Sequence, residues 1–87
     1  MAKPSHIILA VHITDRLKKV PQVQKALSAY GCWIRTRLGL HEAAPGFCSP
    51  NGLLILEMLP DARKAAGLAK ALGRVKGIEV RKIVFTR

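Results

Sequence analysis

Apolar and polar positions alternate from His6 to Ile13. Ile7, Leu9, Val11 and Ile13 fall on one side; His6, Ile8, Ala10 and His12 fall on the other. A period of two predicts a strand, because successive side chains leave an extended backbone on opposite faces. The period then changes. Val20, Val23, Leu27 and Tyr30 recur at spacings of 3, 4 and 3, which makes one stripe of a helix. Lys18, Lys19, Gln22 and Lys25 lie off that stripe. Thr14 and Asp15 offer N-cap oxygens. Pro21 has no amide to donate and suits a first turn, so the regular helix is expected to begin near Lys19. Gly31 is a natural C′ stop.

Alternation returns over residues 33–40. Ile34, Thr36, Leu38 and Leu40 are expected on one side of this second strand, with Trp33, Arg35, Arg37 and Gly39 on the other. Pro45, Gly46, Pro50 and the Asn51-Gly52 pair mark residues 41–52 as a long loop. Residues 53–59 form a third strand, joined to the second as a hairpin. Pro60 ends it and Asp61 caps a second helix. Ala62, Ala65, Ala66, Leu68, Ala69 and Leu72 give that helix its propensity and its apolar side, and Gly73 closes it. Gly77 opens a fourth strand with Ile78, Val80 and Ile83 to Phe85. The break in alternation at Arg81-Lys82 predicts a bulge or a departure from the sheet.

The order is β-α-β-β-α-β. In 87 residues this is an α+β fold, the ferredoxin-like βαββαβ sandwich. It is a four-stranded antiparallel sheet with two helices on one face, in a single domain spanning 1–87. The open face of such a sheet is ordinarily polar. Here Ile8, Ala10, Leu53 and Ile55 make it apolar. A chain this short buries only about 60 % of its surface alone. Both points lead to the expectation of a homo-oligomer, a dimer or a tetramer, with those four residues in the interface. The competing reading is ordinary surface hydrophobes.

Charge changes the picture in one respect. Fifteen Lys and Arg stand against five Asp and Glu, a formal net charge of +10. That balance invites acidic partners or nucleic acid. It divides evenly, +5 in residues 1–43 and +5 in residues 44–87, so no basic tail carries it. RNA recognition by this fold uses aromatics on the central strands, and the first and third strands have none. No apolar run reaches the about 20 residues of a membrane span or resembles a secretory signal. A cytoplasmic protein with no membrane partner is expected. Cys32 and Cys48 form no C-x-x-C pair, so free thiols are expected, with one bridge as the alternative.

Few constellations carry chemistry. Arg35 and Arg37, on one face beside Trp33, would grip a small anionic ligand through phosphate or carboxylate. Arg16 follows the first strand and joins that candidate set. An oligomer interface is the competing role for these residues. His41 and Cys48 bracket the expected loop and are the candidate metal ligands, although their spacing matches no standard site. His6 and His12 are six residues apart, about 20 Å along a strand, too far to share a metal within one chain. The five carboxylates show no paired spacing, and no Gly-rich phosphate loop is present. No cofactor and no catalytic residue are expected, and the chain does not read as an enzyme.

Several residues carry a family resemblance: Asp15-Arg16, Leu27 with Tyr30-Gly31, Ile34 with Arg37-Leu38-Gly39, Leu72-Gly73, and Gly77-Ile78-Glu79-Val80. Over residues 7–83 the chain resembles small ferredoxin-like, ACT-like proteins assigned as regulators of the iron-only hydrogenase system. The loop at 40–52 departs from that pattern. The resemblance implies a homo-oligomer with a regulatory role. It also implies a fold similar to the C-terminal ligand-sensing domain of the nickel-responsive repressor. That sensor's closely spaced histidines followed by a cysteine are absent here, as is the glycine that ACT domains carry in the turn after the first strand. The expected function is therefore a regulatory or small-ligand-sensing oligomer. The alternative is a basic nucleic-acid-binding module.

Overall fold

A computed structural model describes the backbone of residues 3–14, 16–44 and 47–86, and the side chains of residues 3–14, 21–39 and 52–86. The elements are β1 (Pro4–Ile13), α1 (Arg16–Ala29), a 3-10 turn (Gly31–Trp33), β2 (Ile34–Ala44), β3 (Phe47–Met58), α2 (Ala62–Gly73) and β4 (Ile78–Thr86). The four strands form one sheet in the order β2-β3-β1-β4, antiparallel throughout. This is the expected βαββαβ sandwich.

The core lies between the sheet and the helices. Ile7, Leu9, Val11 and Ile13 of β1 meet Leu54, Leu56 and Met58 of β3 under Val23 and Leu27 of α1 and Ala65, Leu68 and Leu72 of α2. Each fully buried Leu or Ile contributes about 1.5–3 kcal/mol. Asp61 caps α2 as expected, its Oδ1 accepting from the Lys64 amide at 3.1 Å. The chain exposes 5960 Å², more than the about 5,000 Å² of an ordinary globular monomer of this mass.

Several expectations are corrected. α1 starts at Arg16, so Pro21 lies inside the helix rather than in its first turn. Thr14 takes another role from capping. Its amide and its hydroxyl both donate to the Gly77 carbonyl, at 3.1 and 2.7 Å, which ties the end of β1 to the turn before β4. Asp15 lies outside the described residues. Gly31 does not end α1 as a left-handed cap; the chain continues into the 3-10 turn. Among the described residues the left-handed glycine is Gly77, with φ 88°.

The expected loop at 41–52 is a β-ribbon. β2 and β3 pair as far as Ala44↔Phe47, and Asn51-Gly52 lies within β3 rather than in a turn. Ribbon pairing is irregular between His41↔Gly52 and Ala43↔Cys48, where Pro50 has no amide for the ladder. β4 also differs. It pairs with β1 without interruption from Ile13↔Ile78 to His6↔Phe85, so Arg81-Lys82 marks neither a bulge nor a departure. Lys82 shares the helix side with Leu9, and Ile83 shares the open side with Ile8.

Candidate functional site

The register defines the open face row by row. Thr36, Glu57, Ile8 and Ile83 form one row across the sheet, and Leu38, Ile55, Ala10 and Arg81 form the next. Leu53, His12 and Glu79 follow in a third. Phe85 extends the face beside His6, their rings edge to face at 6.4 Å. The centre is apolar, and much of it meets solvent. Leu38 is 53 % exposed, Phe85 53 %, Ile83 48 % and Leu53 38 %. Ile8, Ala10 and Ile55 are half-buried. All four residues expected in an interface therefore stand on this face. Leu38, Ile83 and Phe85 join them unforeseen.

A bulge explains Leu38. Ile34 pairs with Met58 and Thr36 with Glu57, so two residues of β2 pass one of β3 and the alternation inverts there. Ile34 keeps the helix side, while Thr36 and Leu38 turn to the open side. Arg35 and Arg37, expected side by side, are separated by the same bulge. The Arg35 Nη1 lies 3.6 Å from Glu57 Oε2 on the open face. Arg37 pairs with Leu56, on the helix side. Trp33 joins neither. It lies half-buried against the core in the 3-10 turn, with the Lys64 Nζ 4.3 Å above its ring and Tyr30 edge to face at 6.4 Å. The three residues do not form one pocket within a chain.

The Arg16, His41 and Cys48 side chains lie outside the described residues. Their backbones fall at the start of α1 and on the two strands of the ribbon, with Cys48 opposite Ala43 and His41 opposite Gly52. Among the described residues no group of three or more His, Cys, Asp or Glu could hold a metal ion. Cys32, in the 3-10 turn, is exposed and unpaired.

Electrostatically the open face stands apart from the rest of the chain. Its strands place Arg35 and Arg81 there together with Glu57 and Glu79. The His6 Nδ1 lies 3.2 Å from Glu57 Oε2, and Arg81 pairs with Glu79. Two bases balance two acids. Among the described residues the charges of this face therefore cancel, and none of the excess of +10 comes from them.

No protein-family model matches the chain, and no curated protein matches it in sequence. Solved structures do. Uncharacterized protein TM1266 from Thermotoga maritima superposes with a TM-score of 0.76 and 23 % identity, over 91 % of this chain and 94 % of that one. A formyltetrahydrofolate deformylase from Pseudomonas putida KT2440 matches at a TM-score of 0.55 and 20 % identity, over 91 % of this chain but 28 % of its own. At these identities the likeness is one of fold: the chain folds as nearly all of the first protein and as a part of the second.

Proposed function

We propose that this chain is a homo-oligomeric regulatory domain that pairs through the open face of its sheet. One observation carries the reading: a half-exposed apolar centre with balanced charge, on a chain that is otherwise strongly basic. Two copies meeting elsewhere would bring like charges together. Meeting here, they bury Ile8, Leu38, Leu53, Ile55, Ile83 and Phe85 and place acids and bases at both ends of the contact. Arg35 is the ligand-facing candidate at the rim. Its 3.6 Å approach to Glu57 is loose enough to be exchanged for a carboxylate or phosphate of a small effector, and such an effector would bias assembly. The residues that resemble iron-only hydrogenase-system regulators, among them Arg37-Leu38-Gly39 and Gly77-Ile78-Glu79-Val80, support a regulatory role in that system.

Sedimentation equilibrium at micromolar concentration tests the assembly; a dimer or larger species is expected, and a monomer overturns it. A thermal-shift screen of metals, amino acids and anionic metabolites tests the sensing role. Stabilisation by an anion, lost in Arg35→Ala, supports it. Absence of any stabilisation leaves a purely structural adaptor.

A further inference from the structure

The two helices carry the basic excess without a single carboxylate. α1 contains Arg16, Lys18, Lys19 and Lys25, and α2 contains Arg63, Lys64 and Lys70, followed by Arg74 at its C-cap. Neither helix has an acidic residue, so no ion pair can form within either one. Among the described residues, the ion pairs join Arg35 to Glu57 and Arg81 to Glu79, with His6 within hydrogen-bond distance of Glu57; none reaches the helix layer.

The α2 residues are ordered. At about 100° per residue, Arg63, Lys70 and Arg74 fall within about 40° of one another, opposite the buried Ala65, Leu68 and Leu72. Arg74 keeps helical dihedrals, φ −75° and ψ −18°, and so extends the ridge. Along the axis the three sit about 10 and 6 Å apart, too far to compete for one anionic group and suited to a row of them. All three are exposed. Asp61 caps α2 from outside, but no acid stands among the bases within the first turn of either helix.

We infer that the helix layer is a docking surface for the phosphate backbone of double-stranded nucleic acid, centred on Arg63, Lys70 and Arg74. This surface lies on the other side of the sandwich from the open face and does not depend on the pairing proposed above. A membrane fits less well. Interfacial helices present large apolar side chains beside their bases, whereas the exposed positions of α2 besides its bases are Ala62, Ala66 and Gly73. No aromatic lies on the ridge to stack on bases. Contact with phosphates alone predicts binding that ignores sequence and weakens steeply with salt.

The test is fluorescence anisotropy with a labelled 30-base-pair duplex of random sequence, repeated with a second unrelated sequence. With three phosphate contacts, affinity should fall about 40-fold between 50 and 200 mM salt. The triple charge reversal Arg63→Glu, Lys70→Glu, Arg74→Glu should abolish most binding and flatten the salt slope. The charge-conserving triple Arg63→Lys, Lys70→Arg, Arg74→Lys should retain both. Circular dichroism and sedimentation confirm that the fold and the oligomer are unaltered in each variant. No duplex binding at 50 mM salt overturns the inference. Unchanged affinity in the reversal variant does so too, as does binding to phosphatidylserine vesicles without binding to the duplex. None of these outcomes bears on the open face.

Discussion

The Arg35 guanidinium and the Glu57 carboxylate approach to 3.6 Å on the open face, the only side of the sheet where this basic chain sets acids against bases among its described strands. Both groups are partly solvated, so removing the pair should cost the isolated chain less than about 1 kcal/mol. Glu57→Gln leaves Arg35 and Arg81 against Glu79 alone. The variant should associate more weakly than the parent at low salt and recover part of the difference at high salt, where the new repulsion is screened. Sedimentation at two ionic strengths reads this, and equal association constants at low salt would show that charge balance plays no part.

Leu38→Glu and Ile83→Glu test the apolar centre. Both positions are exposed and lie on edge strands, so each variant should fold with the circular dichroism of the parent. Each should sediment as a monomer. A folded variant that keeps its oligomeric state would place the contact on another surface.

Gly67→Ala should destabilise the fold although alanine is the better helix former. A Cβ at Gly67 would stand 2.5 Å from the Tyr30 hydroxyl oxygen and 3.1 Å from two ring carbons. Overpacking of this kind costs about 1–3 kcal/mol. Adding Tyr30→Phe removes the nearest clash and should restore part of the loss. Urea denaturation of the single and double variants gives both numbers.

Gly77→Ala should cost about 1–2 kcal/mol, because φ of 88° is a conformation that a Cβ disfavours. Its carbonyl accepts both bonds from Thr14. Thr14→Val should therefore lose about 0.5–1.5 kcal/mol, and the double variant should lose less than the sum if strain at residue 77 already displaces that carbonyl. A double-mutant cycle on thermal unfolding measures the coupling.

Lys64→Met removes the ammonium 4.3 Å above the Trp33 ring while keeping much of the side-chain volume. A loss of about 0.5–1 kcal/mol is expected. Trp33 is the one tryptophan in the chain, so its emission should shift in the same variant, and an unchanged spectrum would argue against the contact.

Alternation alone was enough to read β1: Ile7, Leu9, Val11 and Ile13 all enter the core, because a regular strand carries its period straight into burial. Order and length then left few topologies, and the observed sheet is one of them. Propensity also placed α2 and its Asp61 cap, which depend on neighbours within one turn. Local signals failed where pairing decides. The bulge at β2 moves Arg35 and Arg37 to opposite faces and turns Leu38 outward, and register is a property of two strands rather than one. Pro50 and Asn51-Gly52 read as turns by themselves, yet they lie within β3, which the pairs Ala43↔Cys48 and His41↔Gly52 on either side of Pro50-Asn51 join to β2. The net charge of +10 was countable from composition, and its even division along the chain concealed its arrangement. Only the packing of the carboxylate-free helices on one side of the sheet, with Glu57 and Glu79 brought beside Arg35 and Arg81 on the other, balanced the described charges of one face.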